Sequence, residues 1–173
     1  MLEKATDFQV RRVVHGTGPD GKSTALEDSL AVHRVETPAF TIVDLWRINS
    51  TPASLENEDG LPDGVELTPP PGSAVFRMCA IAPDEEWAGR PMSDSLAAIG
   101  HDEATAEGDP GVHATDTLDV VVVLSGEVYC TTDTHDTLLK AGDVVVQTGN
   151  THAWSNRSGQ VCVVAFVMAG ATR

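Results

Sequence analysis

The sequence predicts an all-β domain closed into an antiparallel sandwich or barrel, and three observations carry that reading. The last third of the chain is a series of short β-branched or alternating apolar runs, spaced about every 8–12 residues with turn residues between them. No alternation of strand and helix appears, which sets aside a doubly wound α/β fold. The length of 173 residues suits one domain and is too short for two ordinary ones, and an apolar fraction of 41% is enough for a packed core. Residues 1–173 therefore read as one domain in three zones: 1–72, 73–110 and 111–173.

In the first zone, Gln9-Val10-Arg11-Arg12-Val13-Val14-His15 predicts a strand, Gly18-Pro19-Asp20-Gly21 a turn, and Ser23–Leu26 the returning strand of a hairpin. Phe40–Ile48 predicts a further strand with Ile42, Trp46 and Ile48 on one face. Residues 49–72 are polar and rich in Pro and Gly, ending in Pro69-Pro70-Pro71-Gly72, so a long loop is expected. These extra N-terminal strands are expected to extend sheet edges. In the second zone, Ala74–Ile81 reads as a strand entering the barrel. Asp94–Ile99 is the one short helix, with Ser93 as N-cap and Gly100 just past the end, and His101–Pro110 is an acidic loop. The third zone gives strands at Val120–Leu124, Glu127–Thr132, Thr137–Leu139, Val144–Gln147, Ala153–Ser155 and Val161–Val167, with turns at Ser125-Gly126 and Asp133–Asp136.

Charge narrows the partners. Lys and Arg number 11 against 26 Asp and Glu, a formal charge of −15. Such a surface repels phosphate backbones and anionic headgroups, so neither nucleic acid nor membrane is an expected partner, and a small molecule is. The longest apolar runs, Val120–Leu124 and Val161–Gly170, fall well short of the roughly 20 residues of a spanning helix. Met1–Asp7 lacks the apolar stretch of a signal peptide. Cys79, Cys130 and Cys162 are odd in number and each lies in an apolar run, which reads as buried free thiols in a reducing, cytoplasmic compartment. The acidic stretches Glu56-Asn57-Glu58-Asp59 and Asp84-Glu85-Glu86 read as solvated loops or helix starts. No G-x-S-x-G, P-loop or dinucleotide fingerprint is present.

The chemistry-bearing segments are Gly111-Val112-His113-Ala114-Thr115-Asp116-Thr117-Leu118-Asp119, running on to Gly126, and Gly142-Asp143-Val144-Val145-Val146-Gln147-Thr148-Gly149-Asn150-Thr151-His152-Ala153-Trp154-Ser155-Asn156. They resemble the paired motifs of the cupin superfamily, in its small single-domain (cupin_2-like) branch. His113 stands at the first histidine of the first motif, Thr115 where a second histidine is expected, Asp119 where a glutamate is expected, and Gly126 at the closing glycine. In the second motif Gly142, Gly149, His152 and Asn156 match in type, Gln147 replaces a proline, and the gap after Gly142 is one residue short. The resemblance covers the last third of the chain and implies a single jelly-roll β-barrel. It also implies a homodimer, because N-terminal strands in such proteins often pack across a twofold axis.

A strand advances about 3.3 Å per residue, so a straight segment would hold His113 and Asp119 about 20 Å apart. Thr115-Asp116-Thr117 is turn chemistry, and a reversal there brings both residues onto neighbouring strands pointing into the barrel, where His152 joins them. Two imidazoles and one carboxylate make a facial triad with open positions. It suits one divalent transition metal: Fe, Mn, Ni or Zn. The departures from the family pattern are the missing second histidine and a carboxylate one methylene shorter. Thr115 would then be a weak neutral ligand or hold a metal-bound water, and it is also a candidate substrate-binding residue. The other reading of the same residues is a metal-free polar cluster in the barrel mouth.

Other side chains are candidates for the ligand. Trp154 shares the strand face of His152 and either walls a substrate pocket or packs in the core. Gln147 either contacts substrate, orients His152 or sits on the rim. Arg47 and Arg77, on predicted strands, either clamp a substrate carboxylate or pair with the acidic surface. His15, His33, His101 and His135 are expected in solvent. The leading functional reading is a metal-dependent lyase acting on a small organic acid or secondary metabolite by decarboxylation or dehydration. His113, Asp119 and His152 would hold the metal, and Asp116 or Gln147 would shuttle a proton. Two alternatives stand beside it: a non-haem Fe(II) dioxygenase with the same ligands, and a metal-free small-molecule-binding protein, which the missing second histidine favours.

Overall fold

The computed structural model describes residues 2–55, 59–101 and 111–173. Most of the acidic stretch Glu56–Asp59 and of the predicted acidic loop His101–Pro110 lies outside the described residues. In chain order the strands are β1 (Arg11–Thr17), β2 (Ser23–Leu30), β3 (Arg34–Glu36), β4 (Phe40–Ile48), β5 (Ala74–Ile81), β6 (Thr117–Ser125), β7 (Glu127–Thr131), β8 (Asp136–Lys140), β9 (Val144–Thr148), β10 (Ala153–Ser155) and β11 (Cys162–Gly170). Among the described residues one α-helix, α1 (Met92–Ala97), lies between β5 and β6.

All pairings between these strands are antiparallel. One sheet has the order β3-β4-β5-β11-β6-β9 and a second the order β10-β7-β8. A single residue pair, His113 with His152, extends the second sheet beyond β10. From β5 onward the chain thus passes back and forth between two facing sheets, which is the jelly roll. As expected, N-terminal strands widen a sheet edge: β3 and β4 add to β5. The β1–β2 hairpin instead forms a sheet of its own.

Alternation along the strands builds the interior. On β6, Thr117, Asp119, Val121 and Val123 are buried while Leu118 and Leu124 are exposed. Val121 and Val123 meet Val128, Cys130, Cys162, Val164, Ile42 and Cys79 between the sheets, and Met92 and Leu96 of α1 close the cluster with Ile99 just beyond it. A smaller cluster lies on the outside, where Ala5 and Phe8 cover Val43, Ala80 and Val163. The three thiols are free and buried, and burial pushes those of Cys79 and Cys162 up to about 12.

Two local expectations are corrected. Ile42 does not share a face with Trp46 and Ile48: the β4–β5 register slips between Asp44 and Trp46, so Ile42 points into the core and the other two point outward. The helix begins at Met92 rather than Asp94, and no side chain caps it. Pro91 precedes it with φ −70° and no N–H to satisfy, which starts the turn ahead of Ser93. Gly100 does end the turn, at φ 75°.

Candidate active site in the barrel

A cavity of about 100 Å³ lies between the sheets. Its walls are apolar, with Phe40, Ile81, Leu96 and Phe166 among them, and His113, Thr115, Asp119, His152 and Trp154 also line it. Leu67 and Ile99, joined by a backbone hydrogen bond of 2.9 Å, both face it.

The two motif histidines are seated by their own backbones. Each amide donates to the other residue's carbonyl at 2.9 Å, and the imidazole centroids stand 4.5 Å apart. His113 Nδ1 lies 3.0 Å from Gly111 O, and His152 Nδ1 lies 3.0 Å from Asn150 O. A carbonyl only accepts, so the proton sits on Nδ1 and the Nε2 lone pair is left for other use. Burial, reinforced by neighbouring His152, pushes His113 down to about 4. Burial also lowers His152. Both rings are therefore neutral near pH 7.

Asp119 points inward from β6 and is 3% exposed. Burial raises its carboxyl above the usual range, against a hydrogen bond from Thr117 and the charge of Arg77. Among the described residues its Oδ1 has no hydrogen-bond partner. Thr115 Oγ1 lies 2.7 Å from Thr117 Oγ1, so Thr115, Thr117 and Asp119 form a polar ladder on one face. The bend expected at residues 115–117 is present at Asp116, but His113 and Asp119 do not lie on neighbouring strands: His113 bridges to His152 beside β10, and Asp119 lies on β6 of the facing sheet. His113, Asp119 and His152 thus border one cavity. Yet among the described residues no three His, Cys, Asp or Glu side chains converge closely enough to hold a metal ion. The two histidines pair, and Thr115 is engaged by Thr117.

The other candidates divide. Trp154 walls the cavity, edge-on to His152 at 6.0 Å and to Phe166 at 5.8 Å. Arg77 borders the cavity but is fully engaged: Nε lies 2.8 Å from Asp44 Oδ1, and its Nη atoms donate to the carbonyls of Glu66 and Leu67 at 2.6 and 3.2 Å. It fastens the loop to the sheet rather than presenting a free clamp. Arg47 pairs with Glu66 at 2.9 Å, away from the cavity. Gln147 is no rim residue. It is 2% exposed, directly across from Asp119, and donates from Nε2 to Cys130 Sγ at 3.2 Å. Asp116 is exposed and ion-paired with Arg173 at 2.5 Å, which removes it from any proton path in the cavity. Asn156 is a fastener: its Nδ2 donates to Ile81 O and Gln160 O.

Two site features escape the sequence. His101, expected in solvent, has its ring 5.9 Å from that of His113, because the left-handed Gly100 turns the chain back toward the barrel. Asp84 borders the cavity and accepts hydrogen bonds from Ser155 Oγ and Asn156 N at 2.7 and 2.9 Å. The Asp84-Glu85-Glu86 run, read from sequence as a solvated loop or a helix start, forms a single 3-10 turn.

Among known proteins, no family model matches the chain. It is similar to two proteins of Diaporthe leptostromiformis, phomopsin biosynthesis cluster protein C' and phomopsin biosynthesis cluster protein D. They are 30% and 44% identical over 123 residues, in each case 65% of this chain and 51% of the other. The chain thus spans about half the length of the curated relatives it matches. Among solved structures it resembles a putative ethanolamine utilization protein Q from Salmonella typhimurium (13% identity, TM-score 0.46, covering 95% of this chain and 99% of that one). It also resembles a Cupin 2 conserved barrel domain protein from Salinispora arenicola (16% identity, TM-score 0.38, covering 57% and 64%). By its strand order and its motif residues, the chain has the fold of the cupin superfamily.

Proposed function

We propose that the chain is a lyase-type enzyme of secondary metabolism that works on a small organic molecule inside the barrel with its own acid and base groups. The observation that carries this reading is the meeting of two neutral imidazoles and a buried carboxyl in an otherwise apolar cavity. Decarboxylation leaves a carbanion that must take up a proton, and dehydration removes one proton from carbon and gives one to the departing hydroxyl. The Nε2 lone pairs of His113 and His152 accept a proton. Asp119, whose burial favours the protonated form, supplies one. Thr115 offers a hydroxyl to the ligand, and Trp154 with Phe166 offers an aromatic wall. At about 100 Å³ the cavity is partly open and smaller than the ~150 Å³ that holds benzene, so it takes a ligand smaller than benzene or the reacting end of a larger one. The relatives named for a phomopsin biosynthesis cluster support the assignment to secondary metabolism.

One observation favours a second reading, a metal-bound form: both histidines leave Nε2 unprotonated, the state in which imidazole ligates. The iron dioxygenase alternative draws on the same pair. Chelator-treated wild type, His113→Ala and Asp119→Asn separate these readings. Each is assayed by elemental analysis, by thermal shift against small carboxylic acids, and by mass spectrometry of oxygen-free incubations. The expected result is wild-type release of carbon dioxide or water without added metal, falling about 100-fold or more in each variant. Activity restored only by a stoichiometric metal that His113→Ala fails to bind would replace this reading with the metalloenzyme. A strict need for oxygen would replace it with the oxygenase. Ligand-induced stabilisation with no turnover would leave a binding protein.

A further inference from the structure

The described residues between β4 and β5 form no helix or strand, yet Leu67 among them is fixed from two sides. Its amide donates to Ile99 O at 2.9 Å. Its carbonyl accepts from Arg77 Nη1 at 3.2 Å, and the Glu66 carbonyl beside it accepts from Arg77 Nη2 at 2.6 Å. Arg77 is 3% exposed, and its Nε lies 2.8 Å from Oδ1 of Asp44, itself buried. A guanidinium taken out of water needs partners for its donors, and this one finds two of them in the main chain of the loop. The planar fork reaches both carbonyls at once, which the point charge of a lysine does not.

All three bonds to the loop use main-chain atoms, so the position of residue 67 does not depend on its side chain. In this chain that side chain is a leucine facing the cavity. The rest of the apolar wall is different. Ile42, Ile81 and Leu96 are buried members of the core, carried by β4, β5 and α1. Leu67 is only half-buried and packs against that core. Trimming a core residue costs contacts on every side, whereas trimming Leu67 mainly moves the wall. Loop positions held by a rigid scaffold are where binding selectivity is set.

We propose that Leu67 limits the size of the ligand, and that Arg77 is the residue that positions it. The leucine side chain holds the cavity at about 100 Å³. The class of ligand that fits is compact and aliphatic, or has a compact aliphatic end, and an aromatic ring is shut out. Cutting Leu67 to alanine removes three carbon atoms from the wall and brings the cavity to roughly the 150 Å³ that takes up benzene. This inference rests on the reading that the ligand binds in the barrel cavity. Its test reads binding and not turnover, so it is decided whether or not a lyase activity is found.

Benzene is the probe, followed by ligand-observed NMR and by melting temperature in benzene-saturated buffer. The proteins are wild type, Leu67→Ala, Arg77→Lys and Leu55→Ala, the last at a 98% exposed position that does not line the cavity. The expected result is benzene binding to Leu67→Ala at least about 10-fold tighter than to wild type, with a raised melting temperature that wild type and Leu55→Ala lack. Arg77→Lys keeps the charge beside Asp44 and loses the fork. With every apolar wall side chain intact it is expected to take up benzene as well, and to exchange the Leu67 amide at least about 10-fold faster while the Val121 amide keeps its protection. Far-UV circular dichroism establishes that each variant is folded. Should Leu67→Ala unfold, Leu67→Val trims the same side chain by one carbon and gives the same readout in smaller measure. Wild type that binds benzene as tightly as Leu67→Ala would overturn the proposal, as would a folded Leu67→Ala that excludes it. A folded Arg77→Lys that excludes benzene and keeps the Leu67 amide protected would overturn the role given to Arg77.

Discussion

His113 shows how one residue's surroundings set its chemistry. Its ordinary value is 6.5, and burial with a neighbouring imidazole takes it to about 4 in the fold. Between those values the unfolded chain binds the proton and the folded chain does not, so this residue makes stability rise with pH from about 4 to about 6.5. Asp119 acts in the opposite sense. Its carboxyl is raised by burial, so the stability tied to its proton is lost as pH rises through its folded value. Comparing denaturant midpoints of wild type and His113→Ala across pH 4–7 isolates the histidine. The expected result is a flatter acid limb in the variant. An unchanged limb would mean that His113 is solvated at low pH. The motif spacing made His113, Asp119 and His152 legible as partners in one cavity. It did not reveal that Asp116 turns outward to Arg173, or that His101 turns inward, because both depend on contacts far along the chain.

At the scale of elements, alternation was readable wherever a strand has one buried face. β5 and β10 fall on their expected residues, and β6 begins at Thr117, three residues ahead of the valine run. The polar inward residues Thr117 and Asp119 hid that start, since an apolar pattern does not register a hydroxyl or a carboxyl on the buried face. The slip at Leu45 on β4 was hidden for a different reason: a bulge leaves no residue signature in an otherwise regular apolar strand. Motif glycines are read more directly. Gly126 joins β6 to β7 at φ 75°, and a β-carbon there would lie 2.9 Å from Val161 O. Gly126→Ala is expected to cost about 1–2 kcal/mol from the left-handed backbone, with the carbonyl contact adding to it. Urea denaturation measures the loss, and a variant as stable as wild type would show that the hairpin relaxes freely.

At the scale of the molecule, the fold was legible and the disposition of its surfaces was not. Composition showed an acidic chain; only the register of five strands shows that its charge avoids one sheet face. The exposed ion pairs, such as Arg157 with Asp136, offset only a little of the repulsion. Raising sodium chloride from about 0.01 M to about 0.15 M shortens the screening length from about 30 Å to about 8 Å. The melting temperature is expected to rise by a few degrees, corresponding to roughly 1 kcal/mol for a domain of this size. A falling melting temperature would mean that attraction between charges outweighs repulsion.

The pairing of His113 with His152 has a consequence for how such a barrel acquires new chemistry. The separation of the two rings is set by a backbone bridge that any pair of residues able to adopt extended geometry can form. Replacing either side chain exchanges the tool and leaves the holder in place. The barrel is in this sense a two-position socket: its scaffold is inherited through main-chain geometry, while what is mounted there can be changed one residue at a time.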